Sequence, residues 1–361
     1  MLTTMFKQLF SGRRGASIDA LLEEARAALA AKDVAAAEKA TNAILAVQPR
    51  HAEALFYCGF VAFLRGKHAE ALAAFRDAET DGMLGAEHAC LMASCHFALQ
   101  DTVSAEKYCE IALQHDPDYL NAHLLLSSIA LPGSGYMHNI SAIHRALRPA
   151  TYLEIGVFQG KSIILANTET SSIGIDPQPD IRVPLGNNIR IIAKTSDAFF
   201  EQHDVRAEFD GRPIDLAFID GMHHFDFALR DFAHIERHCT RNSIILVHDC
   251  YPLNRATATR ERSTIFWSGD VWRLIPALKK YRPDLQICTI ATQPTGLALI
   301  RNLDPQSRVL TNNIDAIVAE FMAADYAVLD TNKREMLNWF PNDWGTIEGL
   351  LRPSTGDAHA T

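Results

Sequence analysis

A 34-residue periodicity in the first third of the sequence constrains the fold more than any other feature. Ala37, Ala71 and Ala105 lie 34 residues apart, and Ala78 and Ala112 repeat the same interval. Small residues at such a spacing allow the backbones of two crossing helices to approach closely. The spacing therefore predicts an N-terminal domain of α-helical repeats, in which each unit packs mainly on its neighbours.

The repeat pattern extends to the residues around these alanines. Gly59 and Phe75 fall where two crossing helices need a small residue and an aromatic that fills the space beside it. Pro49 and Pro117 lie 68 residues apart, or two periods, and each follows a predicted helix, where a missing N–H is tolerated. A plain stack of helical hairpins with accidental spacing is the alternative.

These residues resemble the tetratricopeptide repeat, with three units over residues 18–119 and a further helix at Tyr119–Leu131. The repeats are degenerate, because residues such as Leu55 stand where the family has an aromatic. The resemblance implies a concave surface that binds a protein partner or a second copy of the chain.

The sequence changes character at Leu131–Gly135, where a proline and two glycines end the helical pattern. Apolar strand-like runs then alternate with helical stretches such as Asp197–Glu208 and His223–Cys239. The runs are Thr151–Val157, Ser172–Asp176, Ile189–Lys194, Ile214–Asp220, Ser243–Asp249, Leu285–Ile290 and Gly296–Asn302. This alternation predicts a Rossmann-like, parallel and doubly wound α/β sheet, in which ligands bind at the carboxyl ends of the strands.

Acidic side chains stand at the ends of the early strands. Glu154 lies near the end of the first run, and Asp176, Asp220 and Asp249 end the second, fourth and fifth runs. Carboxylates gathered at one edge of a sheet repel one another, so they add little to the stability of a fold. Ordinary loop acids are the structural alternative, but the clustering favours a binding or catalytic site.

The glycines after the first strand narrow the choice of ligand. The pattern from Glu154 through Gly156 to Gly160 is E-x-G-x-x-x-G, which lacks the close glycine pair that a dinucleotide pyrophosphate needs. An acid in this loop suits a ligand with a positive charge, such as an amino group or a sulfonium. Asp176, 22 residues after Glu154, is then placed to accept hydrogen bonds from two ribose hydroxyls.

The same segment resembles the class I S-adenosylmethionine-dependent methyltransferases over residues 140–302. The matching motifs are LEIGVFQGKS for the methionine loop, GIDPQ for the ribose acid and TSDAF after the third strand, where the adenine lies in that family. FIDGMHHFDFALRDF followed by ILVHDC is similar to a subgroup of small-molecule and sugar O-methyltransferases, some of which need a divalent metal. Three positions depart from these patterns. The family usually has an acid where this chain has Thr195, and a Tyr is common where it has Phe225. The metal-dependent members have an Asn where it has Cys250.

The resemblance implies roles for individual residues. The implied cofactor-binding residues are Glu154, Gly156, Gly160, Lys161, Ser162, Asp176, Ser196 and Asp220. Methyl transfer to oxygen needs a hydroxyl that loses its proton as it attacks, so a base or a metal must assist. His223, with Asp220 near it, is placed to act as that catalytic base at neutral pH, although its ring could instead only hydrogen-bond a carboxylate.

Asp220 and Asp249 together offer oxygen ligands for Mg²⁺ or another divalent metal. A base at His223 is preferred to a metal, because Cys250 beside Asp249 carries a thiol, which is a poor ligand for Mg²⁺. The sequence therefore predicts base catalysis first and metal catalysis second.

Several neighbouring polar residues are interpreted as structural. His224 and His248 are expected to brace loops, and Asp226 and Asp231 to lie on a helix as solvated acids. The Arg-rich segment Asn254–Trp267 is either a plain surface loop or a lid that binds an anionic or polyhydroxylated acceptor.

Composition excludes some classes of protein. The chain has 34 Lys and Arg against 43 Asp and Glu, for a net charge of −9, which argues against a general nucleic-acid binder. No apolar run approaches the roughly 20 residues that a membrane span needs, and the N-terminus does not read as a secretory signal. The 7 cysteines form no CxxC pair, which is typical of a reducing compartment and predicts a cytoplasmic protein.

Together these features predict a helical-repeat domain followed by an α/β domain. The expected segments are a flexible N-terminus (1–17), tetratricopeptide-like repeats (18–131), a linker (132–139), a methyltransferase domain (140–302), a C-terminal helical cap (303–352) and a disordered tail (353–361). The predicted function is S-adenosylmethionine-dependent O-methylation of a sugar, glycan or other small hydroxylated acceptor, with the repeats as a docking module. The alternatives are a non-catalytic interaction protein with a degenerate methyltransferase fold, and a hydroxylase-like relative of that fold.

Overall fold

The computed structural model describes residues 17–82, 84–329 and 331–352. The chain divides into two compact units, one ending at Ile129 and one beginning at Ala130. Leu131, which the sequence places in the repeat domain, is fully buried in the core of the second unit. The predicted flexible segments, residues 1–17 apart from Ser17 and residues 353–361, lie outside the described residues.

Antiparallel helix pairs build the first unit. Its helices are α1 (Ile18–Ala30), α2 (Val34–Val47), α3 (Ala52–Leu64), α4 (His68–Thr80), α5 (Ala86–Ala98), α6 (Thr102–His115) and α7 (Leu120–Ala130), the last of which reaches the second unit. Side chains cap several of the starts: Ser17, Asp33 and Asp101 accept hydrogen bonds from backbone N–H groups three residues on. The structure thus confirms a helical-repeat fold.

The small residues that define the period lie where the helices cross. Ala37, Ala71 and Ala105 are fully buried. At Gly59 on α3, an added Cβ would lie 2.6 Å from the ring of Phe75 on α4, which shows how closely these two helices approach. The predicted pairing of a glycine with an aromatic is therefore confirmed.

We expect Gly59→Ala to destabilise the repeat unit by about 1–3 kcal/mol, because the buried Phe75 ring must move to admit a methyl group. Urea unfolding followed by circular dichroism measures the loss. Gly85→Ala is the control, because a Cβ there meets nothing within 4 Å and its φ of −174° suits any residue. Equal stability of the wild type and Gly59→Ala would contradict the tight crossing.

An eight-stranded sheet forms the centre of the described part of the second unit. Its strands are β1 (Thr151–Ile155), β2 (Ser171–Ile175), β3 (Ile189–Ile192), β4 (Ile214–Ile219), β5 (Cys239–His248), β6 (Gln286–Ile290), β7 (Leu297–Arg301) and β8 (Trp339–Phe340). They are ordered β3-β2-β1-β4-β5-β7-β6-β8. β7 runs antiparallel to both of its neighbours, so the sheet is mixed rather than wholly parallel as predicted.

Helices cover both faces of this sheet, as expected of a doubly wound fold. They are α8 (Tyr136–Leu147), α9 (Ser196–Gln202), α10 (Val205–Glu208), α11 (Phe225–Glu236), α12 (Leu274–Tyr281), α13 (Val309–Met322), α14 (Lys333–Met336) and α15 (Trp344–Leu351). α8 begins inside the predicted linker. The predicted helix Asp197–Glu208 is two short helices, because Asp204 caps a new start by accepting from the N–H groups of Arg206 and Ala207.

The C-terminal segment packs on the second unit. α13 contacts α11, and α15 contacts α8, so this segment covers parts of both faces of the sheet. The predicted cap was wholly helical, but Trp339 and Phe340 pair with β6 as a short parallel edge strand. Two residues are too few to show the alternation by which a strand is recognised in a sequence. Within residues 17–82, 84–329 and 331–352, no helix is both long and apolar enough to cross a bilayer.

Candidate active site

The sheet order reverses at β1, which lies between β2 and β4, so the loops after these strands diverge and leave a crevice. The loop after β1 is held against the loop after β4 by a glycine. Gly156 has a φ of +87°, and an added Cβ would overlap the carbonyl oxygen of Asp220. Its first structural role is therefore to bring the two loops together.

A cavity of about 700 Å³ opens at this crevice. It is lined by six of the eight residues that the sequence predicts for the cofactor, Gly156, Lys161, Ser162, Asp176, Ser196 and Asp220, and by the predicted base His223. Glu154 and Gly160 do not line it. Lining residues that the sequence did not suggest include Tyr136, Phe227 and Asp231.

Glu154 lies beneath the loop instead of facing the cavity. It is fully buried and accepts hydrogen bonds from the hydroxyls of Tyr152 and Ser162, each at 2.6 Å. Burial raises the pKa of Glu154 to about 8 despite these two bonds. A carboxyl that is largely neutral at pH 7 does not attract a sulfonium or an ammonium, so Glu154 supports the loop through Ser162.

Asp176 organises the same loop from the end of β2. Its Oδ2 accepts from the N–H groups of Val157 at 3.0 Å and Phe158 at 2.8 Å. Its Oδ1 accepts from the N–H of Gln178 at 2.8 Å. A carboxylate has about four acceptor sites, so roughly one is left for a ligand that enters the cavity. The predicted bonds to two ribose hydroxyls would exceed that capacity unless the loop moves.

Two carboxylates and two imidazoles meet where β4 and β5 end. His223 Nδ1 lies 2.9 Å from Asp249 Oδ2, and His223 Nε2 lies 3.6 Å from Asp220 Oδ1. His248 Nδ1 is 3.1 Å from Asp220 Oδ1 and 3.4 Å from Asp249 Oδ2. Asp249 Oδ1 also accepts from Thr295 Oγ1 at 2.5 Å. His248 thus joins both acids and does more than brace a loop.

These contacts decide the protonation of the cluster. Burial alone would lower the pKa of His223, but the charges of Asp249 and Asp220 outweigh it and raise that pKa to about 9. The same balance raises the pKa of His248 to about 10. Burial would raise the pKa of Asp249, but both imidazoliums hold it well below its usual range. The two carboxylates therefore favour the protonated form of His223 at neutral pH, which weakens it as a base; its predicted role as the base stays a prediction.

The donor atoms of Asp220, His223 and Asp249 all lie within 4.8 Å of one another, which suits one metal ion. His223 Nδ1 and Asp249 Oδ2 are buried and close together, yet neither makes a hydrogen bond of acceptable geometry. Two neighbouring ligands of an octahedral ion with bonds of about 2.1 Å lie ~3 Å apart, so this pair fits such an ion. Cys250 is not part of the set, because its thiol donates to the carbonyls of Val247 and His248.

The Arg-rich segment Asn254–Trp267 contacts the site. The ring of Trp267 stacks on His223 with centroids 5.3 Å apart and an angle of 11° between the planes. Arg262 lines the cavity while its guanidinium donates to the carbonyls of Thr264 and Ile265. The segment therefore forms one wall of the site and is not a detached surface loop.

The two acids of α11 differ from the prediction of solvated side chains. Asp226 pairs with Arg260 at 2.8 Å, and Asp231 is only 3% exposed. A signal was present in the sequence, because Asp231 lies three residues after Ala228 and four before Ile235, both of which are buried. Helical periodicity thus places Asp231 on the inward face of α11.

Tyr136 is a second site residue that the sequence did not reveal. Its ring stacks on His248 with centroids 4.0 Å apart, and it lines the cavity from the start of α8. It belongs to the segment 132–139 that the sequence predicts to be a linker, far from any motif. Nothing in its sequence neighbourhood distinguishes it from an ordinary loop tyrosine.

A family model described as a methyltransferase domain matches residues 153–250, from β1 through the histidine–aspartate pair after β5. No curated protein sequence matches the chain. The matched segment contains the four side chains of the cluster and all the residues that line the cavity except Tyr136, Met137 and Arg262. The second unit therefore contains a methyltransferase domain, and helical repeats precede it.

Three solved structures are similar to parts of the chain. YrrB, a tetratricopeptide protein with an unusual peptide-binding site, shares 16% identity over 35% of this chain and 66% of its own, with a TM-score of 0.30. A mutant O-GlcNAc transferase of Thermobaculum terrenum shares 19% identity over 58% of this chain and 46% of its own, with a TM-score of 0.31. Cofactor-bound Rv0187 from MTB shares 18% identity over 51% of this chain and 88% of its own, with a TM-score of 0.37. The chain thus spans just under two thirds of the first structure and under half of the second.

Proposed function

We propose that the chain is an S-adenosylmethionine-dependent O-methyltransferase that acts on a sugar, a glycan unit or another small hydroxylated acceptor. One observation supports this most directly: the cavity formed by the matched methyltransferase loops ends at the cluster of Asp220, His223 and Asp249. A methyl donor and a group that assists deprotonation are the two requirements of O-methylation, and a donor bound in this cavity would lie beside the cluster.

The cavity fits the proposed cofactor. Its volume of about 700 Å³ lies within the roughly 300–1,000 Å³ typical of ligand sites. Asp176 keeps acceptor capacity for a ribose hydroxyl, and Ser196 adds a hydroxyl to the lining of the cavity. Lys161 on the β1 loop supplies a cation for the carboxylate of the ligand. When bound, S-adenosylmethionine supplies an electrophilic methyl group.

The cluster fits a divalent cation such as Mg²⁺, which we place on Asp220, Asp249 and, as an addition to the predicted pair, His223. Such an ion would acidify a bound hydroxyl. The residues of the chain orient it: Thr295 fixes Asp249 through Oδ1, and Trp267 holds the His223 ring by stacking. This order reverses the one predicted from sequence, because the two carboxylates that raise the pKa of His223 weaken it as a base, whereas a cation bound to the same carboxylates would displace that proton.

The segment Asn254–Trp267 supplies the proposed acceptor wall. Trp267 offers an aromatic surface of the kind on which sugar rings pack, and Arg262 adds a cation near the cavity. Met222 and Phe158, also at the cavity, are 56% and 64% exposed, which leaves apolar surface for an acceptor to cover. We assign the helical repeats the role of docking this domain onto a protein partner or a second copy of the chain.

A degenerate, non-catalytic fold is the less favoured function. Buried carboxylates and imidazoles cost free energy to desolvate, and the native fold keeps four of them in contact at the cluster. Calorimetric titration with S-adenosylmethionine tests the proposal. Saturable heat supports it, and no heat at millimolar ligand would leave the domain without its cofactor and favour the non-catalytic alternative.

We expect Asp176→Ala to weaken S-adenosylhomocysteine binding at least tenfold, because a charge-assisted hydrogen bond is worth about 1.5–3 kcal/mol. The melting temperature should also fall, since three backbone N–H groups lose their acceptor. Asp176→Asn keeps one side-chain oxygen and separates the two effects: its melting temperature should fall less than that of Asp176→Ala. Calorimetry with thermal melts measures both, and unchanged affinity in Asp176→Ala would remove Asp176 from the cofactor site.

A further inference from the structure

We propose that Asp231 is a specificity-determining residue that hydrogen-bonds the amino-bearing edge of the purine ring of the bound ligand. The inference rests on the proposed function, because it takes S-adenosylmethionine as the ligand of the cavity. It adds to that function a role for a residue on α11 that the sequence predicts to be a solvated acid, and a chemical reason for selecting adenine.

The carboxyl group of Asp231 is buried at the wall of the cavity. The residue is 3% exposed and belongs to the cavity wall. A Cβ built on Gly221 would lie 4.0 Å from Asp231 Oδ2, so the carboxyl faces the loop that follows β4. The hydroxyl of Ser196, at the start of α9, interacts with it from the other side. Asp231 therefore lies between the ends of β3 and β4.

Within the described residues, the hydrogen-bonding capacity of this carboxyl is only partly satisfied. Its Oδ1 is buried and has no hydrogen-bond partner. The neighbouring cation is engaged elsewhere, because Arg230 lies 3.4 Å from both Asp197 and Asp226. Native proteins leave few buried polar atoms unpaired, since each costs roughly 1–3 kcal/mol. An unpaired oxygen in the wall of a ligand cavity therefore indicates a contact that the ligand completes.

The protonation of Asp231 selects the kind of ligand group. Burial, aided by the charge of Asp197, raises its pKa to about 7, although Ser196 and Arg230 oppose the shift. A neutral carboxyl offers one donor and one acceptor side by side. The adenine edge presents an amino donor next to a ring-nitrogen acceptor, which is the complementary pair. A sulfonium or an ammonium group would instead require an ionised carboxylate.

Phe227 supports a flat ring at this place. It lies four residues before Asp231 on α11, so the two side chains stand one turn apart on the same face of the helix. Both line the cavity. The wall thus combines an aromatic surface with a hydrogen-bonding carboxyl, and these are the two features that recognise a planar heterocycle.

The test compares two probes, S-adenosylhomocysteine and its analogue in which hydrogen replaces the 6-amino group, by calorimetry. The wild type should bind the analogue about tenfold more weakly than S-adenosylhomocysteine. Asp231→Ala should bind both probes with similar, weakened affinity. Asp231→Asn should keep the discrimination, because its amide also carries one acceptor and one donor side by side.

The outcomes separate this inference from the proposed function. If the wild type binds neither probe, the proposed function fails and this inference fails with it. If the wild type binds both probes equally, or if Asp231→Ala still discriminates, the cofactor assignment stands and the role of Asp231 is overturned. A purely structural Asp231 would weaken both probes by the same factor and leave their ratio unchanged. Asp231→Asn keeps the shape of the side chain, so the test survives if Asp231→Ala does not fold.

Discussion

Asp249→Asn should weaken Mn²⁺ binding at least 100-fold and lower turnover about 10²–10⁴-fold. This range corresponds to losing the several kcal/mol by which a bound metal ion stabilises the transition state. Asp249 is 4% exposed, and its Oδ2 faces the Nδ1 atom of His223 at 2.9 Å. The amide oxygen of asparagine is a weaker ligand than a carboxylate. Asparagine also tolerates the φ of +60° at this position, so the backbone should keep its shape.

Calorimetric titration with Mn²⁺ measures this prediction without knowledge of the acceptor. S-adenosylhomocysteine affinity should stay within a factor of a few, because Asp249 does not line the cavity. Asp315→Asn is the matched control, since Asp315 is an exposed aspartate on α13 of the same unit. Turnover follows from methyl transfer to a panel of hydroxylated acceptors, with and without a chelator. If Mn²⁺ binds Asp249→Asn as tightly as the wild type, Asp249 is not a ligand.

The sequence predicts the position of the site better than the roles of its residues. Asp176, Asp220 and Asp249 end strands that the structure confirms, and parallel strands bring their carboxyl ends to one edge. The alternation of strands with helices is a local pattern, so one sequence reveals it. The direction of β7 was also within reach of the sequence, because only residues 291–295 separate the two predicted runs, and a parallel crossover needs about a dozen residues or more.

Glu154 shows how a correct motif leads to an incorrect contact. The motif places an acid in the loop after β1, but Glu154 and Tyr152 lie two residues apart on a strand and so share one face. The Tyr152 ring packs edge-on to His144 of α8, with centroids 4.5 Å apart, so this face is covered. Strand periodicity contained this information, and the motif obscured it.

The protonation of His223 is beyond the reach of sequence analysis. It depends on distances of 2.9 Å and 3.6 Å to carboxylates, one of which lies 26 residues farther along the chain. A histidine next to one such charge would be a reasonable base near neutral pH. Two carboxylates make it an imidazolium, and only the assembled sheet shows that both are present. The same limit applies to Tyr136 at the start of α8, whose partner His248 lies at the distant end of β5.

The variant His223→Ala should show whether His223 acts as a metal ligand or as a general base. If His223 holds the ion, the variant should bind Mn²⁺ about 10–100-fold more weakly, and excess Mn²⁺ should restore most of the lost turnover. If His223 is the general base, turnover should fall about 10²–10⁴-fold at every metal concentration while Mn²⁺ affinity stays intact. We expect the first result, because His223 Nδ1 and Asp249 Oδ2 are buried, adjacent and not hydrogen-bonded to each other.

His224→Ala is the control for this experiment. His224 follows His223 directly, but its Nε2 lies 3.2 Å from the carbonyl oxygen of Arg260 and it does not belong to the set of converging donor atoms. Its removal should leave Mn²⁺ affinity unchanged, whereas loss of His223 also frees the stacked ring of Trp267. Turnover that excess Mn²⁺ does not restore in His223→Ala, with Mn²⁺ affinity equal to the wild type, would return His223 to the role of base. The raised pKa of that imidazole would then have to fall when the acceptor and the cofactor enter the site.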